Sequence, residues 1–127
     1  ITGFNHSGDK VNNIATFNLI KSNNFNAYSE FEKNMKKTLE KYAPSLKGWH
    51  VLSRNGSVTR SENAWNFLTI DTFESMADAN KVWWSEIPQK INESNTKKYG
   101  SASDLRAIQH RVVTRLLFDA KNGKFEN

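Results

Sequence analysis

Apolar and polar residues alternate along residues 11–21, VNNIATFNLIK, with Ile14, Thr16 and Ile20 on one face and Ala15, Phe17 and Leu19 on the other. A strand that is apolar on both faces is covered on both, so it belongs in the middle of a sheet. Ser22-Asn23-Asn24 is turn material, and Asn24 or Asn26 can cap a following helix. Phe25, Tyr28, Phe31, Met35, Leu39 and Tyr42 then recur at steps of three and four, which predicts a helix from about Ala27 to Tyr42 ended by Pro44. On it Glu30, Glu32 and Glu40 are expected to face solvent among the lysines. Residues 49–54 alternate again, Trp49, Val51 and Ser53 against His50, Leu52 and Arg54, and residues 64–73 form a further strand beyond a polar loop at 55–63. Ser75 with Asp78 three residues on resembles a capping box opening a second helix, with Met76, Ala79, Asn80, Trp83 and Ile87 on one side. Pro88 ends or kinks it, residues 89–99 form a second helical piece, and 100–104 a loop. Residues 105–120 read as a last strand because of Val112-Val113-Thr114, with helix left open as the alternative.

The order strand, helix, strand, strand, helix, strand is the ferredoxin-like βαββαβ pattern: an α+β sandwich with a four-stranded antiparallel sheet and both helices on one face. The domain is expected over residues 11–120, with an N-terminal tail at 1–10 and a C-terminal tail at 121–127. One sheet face is then left without helices, yet the strands carry apolar residues on both, and a second sheet is the simplest cover. The apolar strand and Ser-capped helix at Phe67-Leu68-Thr69-Ile70-Asp71-Thr72-Phe73-Glu74-Ser75-Met76-Ala77-Asp78 are similar to those of the dimeric α+β barrel superfamily. The resemblance covers residues 11–120 and implies a homodimer packed sheet to sheet. It implies a range of functions: cofactor-independent monooxygenases on aromatic or enolic substrates, heme-degrading monooxygenases, muconolactone isomerases, and stress-responsive or non-catalytic ligand-binding members. Heme degraders of that superfamily carry a histidine on the second helix. Residues 75–87 contain Trp83 and Trp84 but no histidine, so heme degradation is not expected.

The composition of these 127 residues, 37% hydrophobic and 12% aromatic, is that of a folded domain. A net charge of +5 raises the question of nucleic acid, but the lysines are scattered and a solvated basic surface is the simpler reading. No apolar run is long enough to span a bilayer, and no membrane partner is expected. There are no cysteines, which removes disulfides, thiolate metal sites and Cys nucleophiles. The polar lead beginning at Ile1 fits the start of an exported mature chain.

No metal spacing links the three histidines, and neither metal nor cofactor is expected. If Trp49, Val51, Phe17, Leu19, Ile108 and Val112 face the helices, then Asn18, His50, Arg54, Arg111 and Arg115 share the other face with Leu52, Val113 and Leu117, while His110 faces the helices. A neutral imidazole, His50 or His110, could accept a proton from a phenol or enol, with Arg54 or Arg111 holding the anion. The simpler reading is that His50 and the arginines are satisfied groups of a subunit interface or sheet edge. A substrate lying between sheet and helices, as the resemblance implies, would enlist Tyr28, Trp65, Trp83, Trp84 and His110. Core packing is the simpler role for the tryptophan pair. Asp71 reads as a turn or cap residue, and the acids show no dyad.

Overall fold

The computed structural model describes residues 2–5, 13–54 and 64–115, and the backbone of residues 118–119 and 124–125. The polar loop expected at 55–63, and Leu117, lie outside these residues.

In chain order the elements are β1 (Thr2–Asn5), β2 (Ile14–Lys21), α1 (Phe25–Tyr42), β3 (Gly48–Ser53), β4 (Phe67–Phe73) and α2 (Met76–Lys81). A π-helical turn at Val82–Glu86 follows, then α3 (Gln89–Tyr99), α4 (Ala102–Leu105) and β5 (Ala107–Arg115). A short pair, β6 (Phe118–Asp119) and β7 (Lys124–Phe125), closes the chain. The main sheet runs β1-β3-β4-β2-β5, antiparallel throughout. β2 and β4 lie inside it, as the two-sided pattern of β2 predicts. The last run is a strand at Ala107–Arg115 rather than a helix, and its β-branched centre favours that outcome.

The sheet has five strands where four were expected. The extra one, β1, falls in the stretch read as a tail, and β7 falls in the expected C-terminal tail. Four residues are too few to show a period. What holds β1 is its ladder to β3 and the Phe4 ring, 6.0 Å from that of Trp49.

Local chemistry sets the helix boundaries. Asn24 caps α1, its side-chain oxygen accepting from the Ala27 N–H at 3.0 Å, and Lys41 sits in the last turn where the helix dipole favours a cation. Ser75 caps α2 by accepting from the Asp78 N–H at 3.2 Å. The second helix does not run on to Ile87; it opens into the π-helical turn, and Pro88 starts α3.

Burial along β2 and β4 reveals which face meets the helices. Ile14, Thr16, Asn18 and Ile20 are buried on β2, and Phe67, Thr69, Asp71 and Phe73 on β4. Register pairs Ile14 with Phe73 and Ile20 with Phe67 at the two ends, and Thr16 with Asp71 and Asn18 with Thr69 between them. The helix-facing side is therefore apolar at its ends and polar in its middle. The expected parity holds for Trp49 and Val51 of β3 and for Ile108, which pairs with Ile20 beyond a bulge, and is reversed on β2 and on β5 from His110 onward. Phe17, Leu19, Val112 and His110 lie with His50 on the outer face, and Asn18, Arg111 and Val113 lie with the helices. The reversal has a simple cause: the outer face of β2 is the more apolar one, and apolar content alone does not say what covers it.

Gly3 lies against β3, and a Cβ there would come within 2.6 Å of the Trp49 carbonyl oxygen. Gly3→Ala should lift β1 off the sheet and cost about 1–3 kcal/mol in urea denaturation. An unchanged midpoint would mean that β1 adds nothing to stability.

Candidate functional site

The polar middle of the sheet forms the floor of a cavity of about 590 Å³. Thr16, Asn18, Thr69 and Asp71 line the floor, Phe31, Glu32 and Met35 come from α1, and Trp49 and Phe73 flank them. Trp83 and Trp84 of the π-helical turn, Asn92 and Asn95 of α3, and Arg106 and Arg111 complete the wall. Glu32, Asp71, Arg106 and Arg111 are its charged lining residues.

Side chains of the floor hold one another. Arg111 donates from Nε to Asn18 Oδ1 at 2.7 Å. The Asn18 amide donates to Thr69 Oγ1 at 3.0 Å and to Asp71 Oδ2 at 3.1 Å. This chain orients Asn18 completely: its carbonyl must point to Arg111 and its NH2 to the two acceptors. A second cluster lies beside it, where Glu32 accepts from the Tyr28 hydroxyl and from Arg106 at 3.4 Å. Arg106 also reaches the Tyr28 oxygen at 3.3 Å. The backbone just before Arg106 is fixed by Ser22, whose hydroxyl donates to the Leu105 carbonyl at 2.7 Å.

Burial dominates the electrostatics. It pushes the Asp71 carboxyl up to about 7, and the nearby Glu32 charge adds to the rise; Arg106, the Asn18 hydrogen bond and Arg111 oppose it without cancelling it. Burial likewise raises Glu32, against the Tyr28 hydrogen bond and Arg106. Tyr28 is pushed far above the ordinary phenol range, first by burial and then by the Glu32 charge, so its hydroxyl stays a donor. A buried carboxyl that is half protonated near neutral pH can both take and give a proton.

The mouth is held by different contacts. Glu86 accepts from the Ser45 hydroxyl and backbone N–H, and Lys81 lies 3.8 Å away. Asn95 ties α3 to α1 through Thr38 at 2.9 Å. Wider spacing in the π-helical turn buries Val82 while Trp83 and Trp84 both line the cavity, and Trp84 keeps 86% of its surface exposed.

Asn18, Arg111, Trp83 and Trp84 thus come together as candidate site residues, and Tyr28 stands just behind the cavity wall. His50 and His110 do not line it; they sit on the outer sheet face, opposite Ile70 and Leu19 in register. Arg54 and Trp65 also lie apart, the guanidinium stacked over the indole at 4.5 Å. Three cavity residues were missed in the sequence. Asp71 is a buried strand residue rather than a turn or cap, Glu32 is buried rather than on the solvent side, and Arg106 drew no notice. The spacing of Glu32 from Tyr28, one helical turn, was the available signal. Among the described residues no group of three or more His, Asp or Glu is placed to hold a metal.

No protein-family model matches the chain, and no curated protein matches it significantly. Solved structures do. A dimeric ferredoxin-like protein of unknown function from Thermobifida fusca aligns at 11% identity over 81% of this chain and 88% of its own, with a TM-score of 0.51. A similar protein from Jannaschia sp. aligns at 12% over 81% and 98%, also at 0.51. An ethyl tert-butyl ether D (EthD) family protein from Bacillus halodurans aligns at 14% over 80% and 95%, at 0.52. The chain has a ferredoxin-like fold. At these identities the likeness concerns the fold, and the fold supports many chemistries.

The raised Asp71 has a consequence for stability. The folded chain holds this proton more tightly than the unfolded one, so its contribution to stability falls as pH rises from the ordinary carboxylate range through about 7. Asp71→Asn removes the effect and keeps an acceptor for Asn18. Its stability relative to the wild type should therefore improve between pH 4 and pH 8, by on the order of 3 kcal/mol. Urea titrations across that range measure the difference; a flat difference would show that Asp71 ionises freely.

Proposed function

We propose that this chain binds a small aromatic or enolic molecule in the cavity between sheet and helices, and that Asp71 accepts a proton from it. The observation that carries the reading is the buried polar floor beneath aromatic walls. Sheet interiors avoid such groups unless they serve a site, because each must be fully hydrogen-bonded to be tolerated. The molecule's ring packs against Trp49, Phe31, Phe73 and Trp83. Its acidic O–H, or a C–H next to a carbonyl, faces Asp71. The proton passes to the carboxylate, and the electron pair stays on the substrate as an oxyanion beside Arg111. Asn18 positions both partners. Asp71, rather than His50 or His110, is then the acceptor, Arg111 holds the anion, and Arg54 takes no part.

Exchange of the C1 protons of 2-tetralone into D2O, followed by NMR, tests this step. Catalysed exchange is expected, with a loss of about 10²–10⁴-fold in Asp71→Asn. Saturable binding without exchange would instead make the chain a non-catalytic ligand-binding protein.

The outer sheet face supports a homodimer. Leu52 and Val112 are 44% and 50% exposed, with Phe17, Leu19, Leu68 and Ile70 between them, a continuous apolar surface that water penalises. A second copy presenting the same face covers it. Two solved neighbours named as dimeric share this fold. Leu52→Asp with Val112→Asp should convert a dimer to a monomer in sedimentation at micromolar concentration. A wild type already monomeric there would rule the dimer out.

A further inference from the structure

We infer that the site binds its ligand as a planar organic anion, with the charged group seated on Arg111. The inference rests on the proposed binding cavity and deepens it by naming the ligand's charge state. What a ligand meets in the cavity is decided by exposure. Both acids are buried, Asp71 in the floor with 5% of its surface exposed and Glu32 on α1 with 3% of its side chain exposed. The two guanidiniums are the more accessible charges, Arg106 with 23% of its side chain exposed and Arg111 exposed on the edge strand. The acids also have partners already: Glu32 accepts from Tyr28 and Arg106, and Asp71 from Asn18. The accessible charge of the cavity is therefore positive although its formal charges balance.

Arg111 is the better seat of the two. Its Nε is committed to Asn18, which fixes the plane of the guanidinium and directs its terminal N–H groups away from that bond. Arg106 is already shared between Glu32 and Tyr28 and adds its charge from behind.

An oxyanion on Arg111 beside a neutral Asp71 is the state that proton abstraction would produce. The same state is reached when a preformed anion and a proton are taken from solution. The charged groups around Asp71 are Glu32 from α1 and Arg106 and Arg111 from the β5 side. A bound anion repels the ionised carboxylate, so anion binding should be accompanied by proton uptake above neutral pH.

Calorimetric titration with 2-naphthoate and its neutral counterpart 2-naphthamide tests this directly. At pH 6 the naphthoate should bind at least tenfold tighter. Above about pH 7 its affinity should fall toward tenfold per pH unit while that of the amide stays level. Arg111→Gln should abolish the preference with amide binding retained, Arg111→Lys should restore part of it, and Arg115→Gln, outside the cavity, should leave it unchanged. Equal binding of acid and amide, or a preference that survives Arg111→Gln, would overturn the inference and leave the binding cavity standing. Failure of both probes to bind at millimolar concentration would overturn the cavity reading as well.

Discussion

The middle of the helix-facing sheet surface is the constraint on which the rest depends. Two adjacent inner strands place Thr16, Asn18, Thr69 and Asp71 where a hydrophobic core would normally be continuous. An unpaired buried polar group costs about 1–3 kcal/mol. The Arg111–Asn18–Thr69/Asp71 chain removes that cost only if Asn18 takes one orientation and Arg111 reaches in from the edge strand. Apolar side chains packed onto this region would desolvate its charged members, Asp71 and Arg111, still further. The polar floor and the cavity above it are therefore one feature.

The core divides accordingly. Ile20 and Phe67 close one end under Tyr28, whose ring meets Phe67 edge-on at 4.6 Å. Ile14 and Phe73 close the other. α1 spans both ends and carries the second polar cluster between them. α3 buries none of its residues and is tied to α1 by the Asn95–Thr38 bond. The roof thus buries less than the floor, the usual distribution between a rigid floor and a ligand entrance. The π-helical turn belongs to the same arrangement, since it presents both tryptophans to the mouth without burying Trp84.

The element order, both helix caps and the inner position of β2 were legible in the sequence, because periodicity and capping are local. Facing was not. On β2, Phe17 and Leu19 look more like core than Thr16 and Asn18, yet they lie on the outer surface. Apolar content marks a face that is to be covered, by helices or by a second sheet alike, whereas a face that holds a site carries polar residues. The misplacement of His110 follows from that reversal, whereas His50 lies on the outer face as its strand's alternation predicts and is simply on the side away from the cavity. Glu32 was read from its lysine-rich helix, although Arg106, seventy-four residues away, is what makes its burial tolerable. Long-range partners of this kind leave no local pattern. Asp71 shows the same limit: beside a strand end it resembles a cap, and only its pairing with Thr16 reveals the cavity.

Magnitudes explain why two arginines do not hold Asp71 ionised. An opposite charge favours a carboxylate strongly at close range, but Arg111 contacts Asn18 rather than Asp71, and Arg106 is engaged with Glu32. Each guanidinium therefore acts on Asp71 across an intervening group, where attraction weakens with distance, while desolvation acts in full on the carboxylate itself. The Glu32 charge adds to the imbalance. Had Arg111 bonded Asp71 directly, the pair would be a buried ion pair with a strongly acidic carboxyl, and no base near neutral pH would remain. The neutral amide of Asn18 keeps the two charges apart, and with them the separate roles of proton acceptor and anion seat.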